Sequence, residues 1–232
     1  MTALDLRTLA NGSDSGSFSN RMRTRRFELF ERLVEPMPRP LRMLDIGGTN
    51  EFWEQRGWAE RDDVEIVTAN LEAEEQLHEN IHPVVADATD LSRYDDGSFD
   101  ITFSNSVIEH LFTYEAQAAM AREVQRVGRA YWVQTPNYWF PVEPHFLVPG
   151  WQWLPEPARI ALIRKRRLGW RGPCPEIEDA RRAVGEIRLM TGKELATLFP
   201  HATLRPERFK GLTKSWIVTG GFHAAGSERL AP

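Results

Sequence analysis

The chain has 232 residues, 41% of them hydrophobic and 27% charged, the balance of a soluble globular protein with material for one substantial core. Its net charge of -4 gives no global reason to expect nucleic acid or a membrane surface, and its single cysteine, Cys174, excludes an intrachain disulfide and cysteine-rich zinc clusters. Residues 1–20 lack the basic start and apolar core of a signal peptide, and no run reaches the roughly eighteen apolar residues of a membrane span, so a cytoplasmic location is expected.

In chain order, residues 1–19 are polar and rich in Ser and Gly, which predicts a flexible N-terminus. Phe27, Phe30, Leu33 and Val34 share one face at spacings of three and four, which predicts a helix over 20–35, ended by the proline-rich stretch Pro36–Pro40. Leu41–Ile46 reads as a first strand, Val64–Ala69 as a second, Val84–Val85 as a short third ending at Asp87, Phe99–Ser104 as a fourth and Ala130–Thr135 as a fifth. Glu115–Val127 is helical by spacing. Residues 136–175, rich in Pro and Trp, interrupt the alternation. Glu178–Val184 is predicted helical, and Thr191–Phe199 is a helix whose Thr191 and Glu194 form a capping-box pattern. Thr203–Phe209 and Ser215–Thr219 look like a closing pair of strands. Strands alternating with helices imply an α/β fold with a mostly parallel sheet covered on both faces.

The most informative stretch is Leu41–Asn50. An apolar strand ends in Asp45, Gly47 and Gly48, and a helix-compatible segment, Glu51–Gln55, follows. Ligands of open α/β sheets bind outside the carboxyl ends of the strands, and glycine lets a cofactor approach the backbone closely. A second signal runs from Ser98 to Leu111, with Asp100 opening a strand that ends in Ser104, Asn105 and Ser106, and with Glu109 and His110 beyond it. A dehydrogenase reading fits poorly, because the Gly-x-Gly-x-x-Gly turn is missing after the first strand.

The order of these motifs resembles the class I S-adenosylmethionine-dependent methyltransferases of the type 11 and type 23 group, over roughly residues 20–220. The resemblance implies a Rossmann-like three-layer sandwich: a mostly parallel seven-stranded sheet with an antiparallel closing strand. It divides the chain into the N-terminus 1–19, a methyltransferase domain 20–222 with an acceptor-side insert at 136–185, and a tail 223–232. The family pattern at the first strand is Asp-x-Gly-x-Gly-x-Gly. Asp45 and Gly47 match it, whereas Thr49 and Glu51 stand where the later glycines would be. The family role of Asp45, Gly47 and Gly48 is contact with the methionine end of S-adenosylmethionine, where a carboxylate can pair with an ammonium. At the end of the second strand the family carries an acid for the ribose diol. Here Asn70 stands there, with Leu71 beside it and Glu72 as a substitute. Asp87 and Ala88 resemble the adenine-contacting pair, although an Asp after a strand also suits a helix cap. Asn105 lies in the turn that faces the sulfonium in the family.

Methyl transfer demands alignment, and an oxygen or nitrogen acceptor also needs a group to take its proton. His145, two residues after Glu143 in a proline-rigid loop beyond the fifth strand, is the candidate base; the alternative is that it braces that loop. Ubiquinone-type O-methyltransferases, some of which bind a divalent metal, carry an earlier Glu in the region of Glu109 and His110. Ser106 takes that place here, so no metal is assigned and helix-start packing is the plainer reading. Arg21, Arg23, Arg25 and Arg26 read as a solvated helix face. Arg164–Arg167 and Arg171, among Trp151, Trp153 and Trp170, suit peripheral membrane contact through 151–171, a lid or a small core equally well. The expected partner is a small-molecule or glycan/lipid-linked acceptor, O-methylated; nucleic acid is not expected. Two alternatives remain: a non-catalytic cofactor-binding or scaffold relative, and a peripheral membrane-binding module.

Overall fold

The computed structural model describes residues 18–222; the sequence-based expectations for most of 1–19 and for the tail 223–232 fall outside them. Seven strands form one sheet: β1 (Leu41–Ile46), β2 (Val64–Asn70), β3 (Ile81–Val85), β4 (Phe99–Asn105), β5 (Gly128–Pro136), β6 (Thr203–Phe209) and β7 (Leu212–Gly220). Their order is β3-β2-β1-β4-β5-β7-β6, parallel except for β7, which runs antiparallel to both β5 and β6. The chain leaves β1 toward one edge through β2 and β3, then returns to lay β4 against the other side of β1. That reversal is the switch point where such sheets bind ligands.

The helices are α1 (Phe18–Val34), α2 (Asn50–Glu54), α3 (Tyr114–Val127), α4 (Glu156–Lys165), α5 (Ile177–Gly185) and α6 (Gly192–Leu198). Caps explain where three of them begin. Thr49, Thr113 and Thr191 each accept a backbone N–H from the first turn, and Glu194 closes the predicted capping box.

β1 is buried at five of its six positions, as a strand covered on both faces must be, and successive side chains enter different cores. Leu44 and Ile46 pack with Met120, Val124, Leu195 and Phe199 of the α3/α6 layer. Leu41 and Met43 pack on the other face, where α1 lays Phe27, Phe30 and Val34. This second layer is aromatic: Phe30 lies 4.9 Å from Phe103 and 5.5 Å from Trp132, ring centroid to centroid. Full burial of such a side chain contributes about 1.5–3 kcal/mol.

Two sequence expectations are corrected here. β3 begins at Ile81, three residues before the expected start, with Pro83 inside it; β3 is an edge strand, where proline is tolerated. β7 begins at Leu212, three residues before the expected Ser215; the stretch 136–175, which interrupts the alternation, contains α4, started by Glu156 and Pro157 and ended by Arg164 and Lys165. Phe146, Trp151, Ile163, Ala180, Ala183 and Val184 form a third, smaller core joining α4 to α5. No helix among the described residues is long and apolar enough to cross a membrane.

Candidate active site

The loop after β1 is shaped by three constraints. Asp45 is buried, and its Oδ2 accepts the Trp53 indole N–H at 2.8 Å. Burial pushes its carboxyl well above the usual range, against the lowering effect of that hydrogen bond. A Cβ on Gly48 would overlap the Asp45 carboxylate, and Gly47 has φ +77°, where a side chain would also strike Val107. A buried carboxylate beside side-chain-free backbone fits the ammonium end of S-adenosylmethionine, which would supply the cation that Asp45 lacks. Thr49 and Glu51, the departures from the glycine pattern, have local work instead: Thr49 caps α2, and Glu51 sits in its first turn.

Asn70 ends β2 and donates from Nδ2 to the Gly48 carbonyl at 2.8 Å. An aspartate could not make that bond. The amide therefore ties the β2 end to the glycine turn. Leu71 beside it is 76% exposed, and Glu72 is exposed. Asp87 accepts from the backbone N–H and hydroxyl of Thr89 through one oxygen, so it caps a turn rather than the helix expected of the plainer reading. Ala88 is half-buried next to it.

Asn105, at the end of β4, is held by a residue that the sequence reading placed on a solvated face. Arg26 of α1 donates to Asn105 Oδ1 at 2.8 Å and to Gln134 Oε1 at 2.7 Å, and its guanidinium grips both carboxylate oxygens of Glu207 on β6. Its side chain is only 12% exposed. Ser106 adds a hydroxyl to the same Gln134 oxygen at 2.9 Å, and Ser215 donates to Glu207. Arg21, Arg23 and Arg25 are exposed, as expected. Helical periodicity could have flagged Arg26, which directly precedes the buried Phe27; its three partners lie 79 to 181 residues away, beyond any local pattern.

Beyond β5 four ionisable side chains meet. Glu143, 1% exposed on its side chain, accepts the backbone N–H groups of His145 and Phe146 at 2.8 and 2.6 Å and meets His145 Nδ1 at 2.5 Å. That contact assigns the proton to Nδ1 and leaves Nε2 as the basic nitrogen. Burial lowers the His145 pKa, yet the hydrogen bond and charge of Glu143, with the charge of Glu109, outweigh it and raise the imidazole above its ordinary value. The His110 ring stands edge-on to His145 at 5.0 Å, and burial, with the charges of His145 and Arg171, depresses it to about 4. Glu109 lies in a short helical turn after β4. It is fully buried, pushed by burial to about 7, and accepts the Thr135 hydroxyl on Oε2 at 2.9 Å, while Oε1 has no partner. Glu109, His110 and His145 each offer one ligand atom within 4.8 Å of the others.

The insert separates its tryptophans. Trp151 is buried in the third core, whereas Trp139, Trp153 and Trp170 are 63%, 47% and 52% exposed.

The sheet order and the glycine turn at the switch point match the architecture that the sequence resemblance to class I S-adenosylmethionine-dependent methyltransferases implied. A family profile described as a methyltransferase domain matches residues 46–130, which hold the glycine turn, β2, β3, β4 and α3. A 51-residue segment is 41% identical to an uncharacterized protein of Mycobacterium tuberculosis, matched in two strains. That segment is 22% of this chain and covers 17% of the relative's length. Among solved structures, a carbon methyltransferase named CurJ superposes with a TM-score of 0.56 at 12% identity, over 94% of this chain and 58% of that one. A S-adenosylmethionine-dependent methyltransferase of Methanosarcina mazei gives 0.50 at 14% identity, over 81% and 94%. A protein of Rhodobacter sphaeroides described as a zinc-dependent alcohol dehydrogenase gives 0.53 at 13%, over 82% and 86%, so these likenesses speak to fold alone.

Proposed function

We propose that the chain transfers a methyl group from S-adenosylmethionine to an oxygen of a small-molecule or glycan/lipid-linked acceptor in the cytoplasm. The observation that carries the acceptor chemistry is the Glu143–His145 dyad, with a basic nitrogen left free by a buried carboxylate at the carboxyl end of the sheet. When bound, S-adenosylmethionine supplies a methyl carbon made electrophilic by the sulfonium. Asp45 would hold the ammonium, the Asn70 carbonyl would accept from the ribose, Leu71, Asp87 and Ala88 would hold the adenine, and Asn105, fixed by Arg26, would stand on the sulfonium side. His145 Nε2 would take the proton of the acceptor hydroxyl, and Glu143 would stabilise the resulting imidazolium. Alignment by the rigid strand ends does the rest.

Calorimetric titration with S-adenosylmethionine and S-adenosylhomocysteine tests the cofactor half. Micromolar binding of both is expected, and no binding at millimolar ligand turns the reading toward a non-catalytic scaffold. Methyl transfer from labelled cofactor to panels of hydroxylated acceptors, against amine acceptors, tests the oxygen preference.

One observation favours a second reading of the acid cluster: the orphaned, buried Glu109 oxygen beside two imidazoles. A divalent cation held by Glu109, His110 and His145 would satisfy it, with Glu143 orienting His145 from behind as carboxylates do for metal-bound histidines. Activity that survives exhaustive chelation rules this out.

A further inference from the structure

Behind the dyad lies a cavity of about 370 Å³, between the insert and residues 187–194, within the size range of small-molecule sites. Its wall includes Tyr138, Glu143, Trp151, Gln152, Arg159 and Thr191. Two of its lining residues carry buried polar atoms without partners. Gln152 spends its amide hydrogens on the carbonyls of Tyr138 and Phe140, at 2.9 and 2.7 Å, which fixes the side chain and leaves Oε1 buried without a partner. Arg159, on α4, has a buried Nε with no partner, and its guanidinium makes no hydrogen bond or ion pair among the described residues.

Neighbouring cations are not left so. Arg188, on the same wall, binds Glu194 and Gln117 at 2.6 Å each, and Arg171 pairs with Glu186. The acids facing the cavity are already engaged: Glu143 by three donors of residues 145 and 146, and Glu194 by Arg188 and Thr191. Arg159 is therefore the one cation on this wall without a counter-charge among the described residues. A buried donor or acceptor without a partner is costly, and a planar guanidinium matches the two oxygens of an oxyanion.

We propose that this cavity selects the methyl acceptor by an anionic group: a carboxylate or phosphate bound by Arg159, with a hydroxyl or N–H of the same molecule donating to Gln152 Oε1. The proposal rests on the reading of the His145 side as the acceptor side. Tyr138 and Trp151 supply aromatic surface for the body of the molecule. Glu143 lines the cavity and also holds His145, so an occupant lies one side chain away from the base.

The test uses 4-hydroxyphenylacetate and its neutral analogue 4-hydroxyphenylacetamide, with inorganic phosphate as competitor and S-adenosylhomocysteine titrated into the same samples. Ligand-observed NMR reads the affinities for the full chain and for Arg159→Met. The wild type is expected to prefer the carboxylate by about tenfold or more, the scale of one charge-assisted hydrogen-bond pair. Phosphate should compete, and Arg159→Met should erase the preference with S-adenosylhomocysteine affinity and melting temperature unchanged. Equal affinity for the two probes, a preference that survives Arg159→Met, or no carboxylate binding at about 10 mM overturns the proposal. Cofactor binding without carboxylate selectivity defeats only this pocket assignment. Selectivity without cofactor binding upholds the pocket and defeats the methyl-transfer reading.

Discussion

The two halves of the candidate site are built in opposite ways. The cofactor half is mostly backbone: glycines that admit no Cβ, a strand-end amide bonded to a carbonyl, and a carboxylate gripped by an indole from the aromatic core. The acceptor half is mostly ionisable side chains on a proline-rich insert with its own small core. The difference teaches that a shared cofactor asks for shape, which rigid strand ends supply, whereas acceptor chemistry asks for tuned protons, which a separately packed segment can change without disturbing the sheet.

The largest expected effect lies in the acceptor half alone. His145→Ala should lower turnover by about 10²–10⁴-fold, the usual worth of a general base, with S-adenosylhomocysteine affinity unchanged. Wild-type turnover on the true acceptor removes His145 as base. The mirror experiment is Gly48→Val, whose side chain would enter the Asp45 carboxylate; cofactor affinity should fall by about 100-fold or more by calorimetry, the scale of losing the ammonium contact and the turn together. Retained affinity means that the cofactor does not lie over this turn, and the comparison collapses.

A change at the seam comes next. Arg26→Met takes the guanidinium from Glu207, Asn105 and Gln134, leaving Glu207 the Ser215 hydroxyl and Gln134 the Ser106 hydroxyl, and should cost about 1–3 kcal/mol in chemical denaturation. It should also weaken cofactor binding, because Asn105 loses its anchor. Stability unchanged within error would show that α1 is held by its aromatic face alone.

The smallest expected effect is a displaced pH profile. His145 accepts a proton only when neutral, and its pKa stands above the ordinary histidine value, so kcat/KM should rise with pH through that raised value. Glu143→Gln removes the charge chiefly responsible and should move this limb to lower pH, with a lower plateau because the base is weaker. A limb that does not move assigns it to another group, of which Glu109, at about 7, is nearest.

The legible and illegible parts of the sequence divide along the same line. β1, β2, β4 and β5 announce themselves as apolar runs because both of their faces are covered, and Asp45, Gly47 and Asn70 follow at fixed offsets from the strand ends. The helix α4 was obscured by surrounding tryptophans and prolines, though Pro157 in its first turn was a usable start signal. Trp151, Trp153 and Trp170 look alike in sequence, and only the packing of α4 on α5 separates the core residue from the exposed ones. Arg26 could be flagged by its place beside the buried Phe27, but it and Glu109 carry charges that normally lie at the surface, and the partners that bury them are distant in the chain.

The Arg26 lattice also sets an order of events during synthesis. Arg26 emerges early from the ribosome, whereas Glu207, 181 residues later, is among the last parts of the fold to appear. Such distant pairing is slow to form and cannot precede its second member. A nascent chain can fold β1 through β5 and display its glycine turn while the arginine beside it is still without its carboxylate. The rim of the site is finished only by the final hairpin, so a chain cut short before β6 would keep Arg26 on Asn105 and Gln134 but leave its guanidinium without the Glu207 carboxylate.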